Sequence, residues 1–195
     1  MNTLQEILIY IVDTLGLLFL VLVILRFFLQ LARADFYNPY SQAINKITSP
    51  VLIPLRRVIP GLFGVDFASV VLALLVQVVI GELIIFIISQ SYFNPLNLLI
   101  WGALGILNIA IYIGFALILI LVVSSFIAPF SHNPALVLVR QLTDPLLAPI
   151  RNIIPAVGGL DFSVFFLGMG MVILQKIIYA VAVSVNLNPV LILGF

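Results

Sequence analysis

Cysteine is absent from this 195-residue chain. That excludes disulfides, thiol nucleophiles, thiolate metal sites and cysteine-linked haem. A single histidine, His132, cannot form a histidine-rich metal site alone. Charge is scarce: Asp, Glu, Lys and Arg make up 8% of residues, against about 25% in soluble domains. The net charge of +1 gives no polyelectrolyte character and no basis for nucleic-acid contact. The opening "MNTLQEILIY" contains no Lys or Arg. It therefore lacks the positive leader of a cleavable signal, and the apolar run that follows is expected to remain as a span. HExxH, P-loop and Gly-rich dinucleotide motifs are also missing. Ser124 and Ser125, with the lone His132 nearby, read as the end of a span. The expectation is a protein that is not an enzyme and uses no metal and no cofactor.

Apolar residues make up 64% of the chain, with a mean hydropathy of +1.35. Uninterrupted runs exceed the ~18 residues that suggest a bilayer crossing. Four spans are predicted, at about 4–31, 68–89, 98–128 and 162–185. The connections run long, short, long, so both long loops lie on one side of the membrane. Arg26, Arg33, Lys46, Arg56, Arg57, Arg140 and Arg151 all lie in those loops or at their edge, and only Lys176 of the eight basic residues does not. The positive-inside rule puts the loops in the cytoplasm and both termini outside an inner (plasma) membrane.

A shift of 95 residues superimposes Asn38–Phe67 on Asn133–Phe162 without a gap. Pro50, Pro54, Arg56, Pro60, Gly64, Asp66 and Phe67 align with Pro145, Pro149, Arg151, Pro155, Gly159, Asp161 and Phe162. Matching apolar residues would mean little here, whereas matching Pro, Arg, Gly and Asp indicates internal duplication. The expected fold is an all-α membrane protein of four helices, built as two parallel (2+2) repeats. Residues 1–94 form the first, with loop 32–66, and residues 95–195 the second, with loop 129–161. Asn38-Pro39 and Asn133-Pro134 read as helix starts. Ser49-Pro50 and Asp144-Pro145 repeat that signal, and Pro54 and Pro149 follow, which predicts short helices chopped by proline. Pro60 and Pro155 should end the segment, Gly64 and Gly159 allow a turn, and Asp66 and Asp161 cap the next span.

Two groups of polar residues are candidate sites. Arg56, Arg57 and Arg151 stand in an apolar, interfacial setting. They could hold a lipid phosphate, a partner carboxylate or a substrate; they could anchor the loop among anionic headgroups; or Arg56 and Arg151 could pair internally with Asp66 or Asp161. Asp13, Glu82, Asn108 and Lys176 fall at similar depth within the spans, at 1.5 Å per residue. Lone charges there are costly, so a shared buried polar layer is expected. It would be either an ion relay or a packing pair of Lys176 with Glu82 or Asp13. Gly102, Gly105, Gly114 and the "GMGM" run Gly168–Met171 are read as close-packing positions.

The motifs "DFYNPYSQ" at Asp35–Gln42, "SPVLIPLRRVIPGLFGVDFAS" at Ser49–Ser69 and "DPLLAPIRNIIPAVGGLDFS" at Asp144–Ser163 carry a resemblance to the YggT family of small bacterial and plastid membrane proteins. It covers nearly the whole chain as two copies of the family domain. The copies differ where Arg57 becomes Asn152 and "DFYNP" becomes "FSHNP". The resemblance implies an association with osmotic-stress tolerance, cell-division gene neighbourhoods or, in plastid relatives, cytochrome b6 haem maturation and nucleoid organisation. It implies no catalytic residues. The leading expectation is an assembly or scaffold factor acting through its loops on membrane lipids, anionic headgroups or membrane protein partners. The alternative is a small ion or solute transporter using the buried polar layer. The oligomeric state is not legible in the sequence.

Overall fold

The computed structural model describes residues 2–59, 61, 65–128, 131–154 and 161–195. Its elements are all helical: α1 (Thr3–Leu31), α2 (Pro39–Val58), α3 (Phe67–Ser89), α4 (Pro95–Ile127), α5 (Pro134–Ile153) and α6 (Ser163–Ser184). A single 3-10 turn follows at Pro189–Leu191. Helices α1, α3, α4 and α6 are long and apolar enough to cross a membrane. The 33 residues of α4 rise roughly 50 Å, more than the ~30 Å hydrocarbon thickness.

Asparagine followed by proline starts four elements. Asn38, Asn94, Asn133 and Asn188 each accept a backbone N–H two residues on, at 2.9–3.1 Å. The side-chain oxygen satisfies an orphan donor, and the proline that follows has no N–H to satisfy.

The prolines inside the loop helices do not chop them, contrary to the sequence expectation. Helix α2 runs for 20 residues through Pro50 and Pro54, and α5 for 20 through Pro145 and Pro149. In α2 the carbonyls that lose a partner belong to Lys46 and Pro50, both on the exposed side where water or headgroups can serve them. On the inner side Thr48 and Ser49 hydroxyls donate to the Ile44 and Asn45 carbonyls, and Thr143 donates to Val139. The stripe Ile44, Thr48, Leu52, Leu55 follows helical spacing and packs inward, with Leu52 wholly buried. Pro60, Gly64, Pro155 and Gly159 lie outside the described residues.

The main core joins Leu20, Val23 and Ile24 of α1 to Leu52 of α2, Ala68, Leu72 and Ala73 of α3, and Ile109 of α4. A smaller cluster joins Leu29, Leu117, Leu138, Val139 and Leu142 beneath α5. Helix α6 packs on α4 and α5 and is mostly exposed.

The chain after α6 turns back into the bundle, which the sequence did not suggest. Leu191 and Ile192 are buried against Ile84, Ile85, Leu98 and Trp101, and Leu193 joins the main core beside Leu20 and Ile109. Gln77 exchanges two hydrogen bonds with the Leu193 backbone, at 3.0 and 3.1 Å. Trp101 Nε1 donates to the Val185 carbonyl at 3.1 Å. Gly105 makes room for this segment: a Cβ there would meet Gln77 Nε2 and Ile192 Cγ2 at 2.6 Å and the Leu193 carbonyl at 2.7 Å. Gly102 lies as closely on Gln77, and Gly114 on Met171. Gly168 and Gly170 face open space, so the close-packing role expected of "GMGM" is not met there. The reason is that α6 turns this face away from its neighbours.

Gly105→Val should therefore displace the C-terminal segment, at a cost of about 1–3 kcal/mol from overpacking. Since the chain has no cysteine, Leu193→Cys offers a clean reporter. It should resist maleimide in the parent and react once Gly105→Val is added, while Gly168→Ala leaves it protected.

Candidate functional site

The end of α2 and the start of α3 meet through an ion pair. Arg56 Nη2 donates to Asp66 Oδ2 at 2.5 Å and also approaches Gln30 Oε1 at 3.3 Å. Ser69 Oγ donates to the same carboxylate oxygen at 2.6 Å. Asp66 is 3% exposed and Arg56 40%. Burial pushes the Asp66 carboxyl upward, but the Arg56 guanidinium and the Ser69 hydroxyl outweigh it and hold the group below the usual carboxylate range. Asp66 occupies the first capping position of α3, yet its side chain serves Arg56 and Ser69 rather than a helix N–H.

An analogous pair joins α5 to α6. Arg151 binds Asp161 Oδ2 at 2.8 Å and Asp144 Oδ1 at 3.3 Å. Asp161 also accepts the Ser163 N–H at 3.0 Å, as expected of a cap. This pair is wetter, with Asp161 33% exposed. Its slight burial raises the carboxyl, and hydrogen bonds from Arg151 and Ser163 bring it below the usual range. Of the three alternatives for Arg56 and Arg151, the internal pairing is the one the geometry forms. Arg57 is exposed and makes no ion pair among the described residues.

The two loop segments also touch each other. Asn38 Nδ2 donates to the Pro134 carbonyl at 2.7 Å, and Gln141 Oε1 accepts the Asp35 N–H at 3.0 Å. Helices α2 and α5 thus form one continuous surface at one end of the bundle. Tyr37, Val58 and Ile153 are its most exposed apolar or aromatic residues.

Asp13, Glu82, Asn108 and Lys176 are not bonded to one another. Asn108 is fully buried; its Nδ2 donates to the Gly194 carbonyl, and its Oδ1 accepts Gln175 Nε2 at 3.3 Å. Glu82 accepts the Phe93 N–H at 3.3 Å. Asp13 is half-buried and lines an open cleft of about 530 Å³ beside the C-terminal segment. Lys176 is exposed on α6, and no ion pair joins it to Asp13 or Glu82. The expected single buried layer is thus not assembled among these four, because α6, which carries Lys176, lies at the bundle's edge.

Sequence reasoning missed the residues that make the buried polar contacts. Gln77 and Gln175 were each legible as a lone amide in an apolar run, a signal that an intramembrane polar group needs a partner. Arg26 was read only as a basic residue at a span end. It is 7% exposed, and its Nη1 reaches Asn45 O at 3.1 Å, Thr48 Oγ1 at 2.6 Å and Ser49 Oγ at 3.0 Å.

Among described residues, no group of three or more His, Cys, Asp or Glu side chains is arranged to hold a metal.

Asp66→Asn should destabilise the protein by roughly 1.5–3 kcal/mol, the worth of hydrogen bonds to a charged group. Asp161→Asn, in its wetter setting, should cost at most about 1 kcal/mol. Thermal unfolding of the purified variants checks the order. The pH dependence has a definite sign. A carboxyl with a depressed folded-state pKa stabilises fully above its unfolded value, and that contribution is lost as pH falls through the folded value. Acidification through the carboxylate range should lower the parent's melting temperature, and Asp66→Asn should flatten that response.

Comparison with known proteins assigns the chain a family. The profile of the CCB3/YggT family matches residues 5–88 and again 100–182. An uncharacterized protein of Pseudomonas aeruginosa is 43% identical over 87% of this chain and 87% of its own length. An uncharacterized protein of the proC 3' region of Vibrio alginolyticus is 41% identical over 83% of this chain and 88% of its own. The uncharacterized protein YggT of Escherichia coli K12 is 36% identical over 84% and 82%. No solved structure matches. The double profile match, the four apolar helices and these relatives establish that the chain belongs to the CCB3/YggT family.

Proposed function

We propose that this protein is a non-enzymatic, multi-pass inner-membrane protein that acts as an assembly or scaffold factor, or in osmotic-stress tolerance, through the joint surface of α2 and α5. The carrying observation is that the two loop helices are hydrogen-bonded into one face. Internal ion pairs anchor both helices to the spans that follow them, so a partner meets a preformed surface. Exposed Tyr37, Val58 and Ile153 supply apolar contact area, and Arg57 supplies an exposed cation with no ion pair among the described residues. Aromatic side chains such as Phe36 and Tyr37 suit the headgroup level. Anionic headgroups and membrane proteins are the natural partners.

In this reading residues 1–94 and 95–195 are two parallel units, each a span, a loop helix and a second span. The loop helices face the cytoplasm and both termini lie outside, as the distribution of basic residues favours. Equal lengths of α2 and α5, 20 residues each, support the two-unit description.

The transporter reading draws less support. Asn108 is engaged by Gly194 and Gln175, Lys176 faces outward, and the carboxylates of Asp13 and Glu82 have no cationic partner among the described residues.

A photo-crosslinking amino acid at Val58 and at Ile153, in native membranes, tests the platform. Both positions should yield the same discrete protein adduct, and Arg57→Glu should diminish it. The same probe at Leu119, exposed on α4, should yield lipid adducts alone. Equal protein adducts at all three positions would sink the platform reading. Ion-linked flux in proteoliposomes that Asp13→Asn and Glu82→Gln abolish would favour the transporter instead.

A further inference from the structure

We infer that the first loop helix and the end of α1 enclose a binding site for a phosphate-type oxyanion, with Arg26 at its base. A cavity of about 250 Å³ opens between these elements, lined by Arg26, Gln30, Ser41, Asn45 and Arg56, with Phe36 at its edge. A single water's share of liquid volume is ~30 Å³, so the space admits a polyatomic ion. Among the described residues, two guanidinium groups and no carboxylate line it.

Two polar atoms there are buried with no hydrogen-bond partner among the described residues, Arg26 Nε and Ser41 Oγ. Arg26 is 7% exposed and Ser41 2%. A buried guanidinium normally finds an anion, since taking its charge out of water is costly. Every oxygen that Arg26 Nη1 touches is instead neutral: the Asn45 carbonyl and the Thr48 and Ser49 hydroxyls. Those three contacts fix the guanidinium plane. Asp66, the acid at the start of α3, is already bonded to Arg56 and Ser69. Two arginines against one carboxylate leave one positive charge at the cavity. Phosphate oxyanions suit such a cluster because guanidinium N–H groups and a hydroxyl donate to several oxygens at once.

The duplicated unit does not require these residues for folding. In the 95-residue register Leu121 stands where Arg26 does, and Leu136 where Ser41 does. Arg56 keeps its counterpart in Arg151 and its ion pair with the following acid. The ion pair is thus the shared structural device, and Arg26 with Ser41 is an addition specific to the first unit. Helix α2 and Arg56 serve both this site and the surface shared with α5, but the inference does not rest on the platform reading.

The phosphate could belong to a lipid headgroup or to a free ion, and titration separates them. The intact chain, purified in a maltoside detergent that carries no phosphate, is titrated calorimetrically with inorganic phosphate in one arm. The other arm uses short-chain phosphatidylglycerol. Binding of both assigns a free-phosphate site, and binding of the lipid alone assigns a headgroup site; either supports the proposal. Arg26→Leu should weaken binding by at least about tenfold, the loss of one charge-assisted contact. Ser41→Leu, which imports the residue of the second unit and fills the cavity, should abolish it. Lys46→Gln, a nearby exposed cation outside the cavity, should bind as the parent does. No binding in either arm overturns the site. Binding that survives both Arg26→Leu and Ser41→Leu, or that falls equally with Lys46→Gln, overturns it too. Should Arg26→Leu fail to fold, Ser41→Leu decides alone.

Discussion

Hydrocarbon offers no hydrogen-bond partner, so a polar group inside the bundle must be met by another part of the same chain. The Gln77–Leu193 exchange follows from that constraint. A side-chain amide has the donor and acceptor of a peptide unit, and here it pairs with a backbone that arrives 116 residues later. Asn108 makes half of such an exchange, its Nδ2 donating to the Gly194 carbonyl while its Oδ1 accepts from Gln175. These contacts, with Gly105 leaving room, draw a short apolar segment into the bundle where it completes a core with Trp101 and Leu98. Without them the polar positions of α3 and α4 would be unmet and the segment would have no address.

The same constraint acts at the other end of the molecule with charge in place of amides. Each loop helix ends in an arginine that pairs with the aspartate at the start of the next span. The pair neutralises both groups at the edge of the apolar layer and fixes the angle at which the helix lies. Thr48, Ser49 and Thr143 return their hydroxyls to the Ile44, Asn45 and Val139 carbonyls of their own helices, so these three groups are met within α2 and α5. What results is a rigid surface made of two helices, tied together by Asn38 and Gln141. Arg26 is the departure from this economy: a buried cation met by neutral oxygens and facing a cavity. That imbalance is what separates a ligand site from a structural pair.

Spans were legible in the sequence because a membrane-crossing helix is a one-dimensional requirement of length and hydropathy. The predicted 4–31, 68–89, 98–128 and 162–185 fall within three residues of α1, α3, α4 and α6 at every end. Duplication was equally legible, since Pro, Arg, Gly and Asp at one offset need no coordinates. The Asn-Pro starts of α2 and α5 were readable because an N-cap is a local hydrogen bond. Proline misled within these loop helices: its local penalty was visible, whereas the exposure of the orphaned Lys46 and Pro50 carbonyls and the packing of Leu52 and Leu147 that offset it were not.

The sequence by itself determined the membrane class, the number of spans, the repeat and the family. The first three rest on composition, periodicity and spacing, and the family on the resemblance of the quoted motifs, all of which belong to the chain alone. Tertiary structure decided which polar groups meet. It gave Arg56 and Arg151 to their aspartates, left Arg57 exposed with no ion pair among the described residues, and sent Gln77 and Asn108 to the C-terminal segment. It also turned Lys176 outward and set Arg26 against neutral oxygens. Such pairings join residues up to 116 positions apart across helix faces. Helix rotation and packing set the partner there, and no local pattern encodes it.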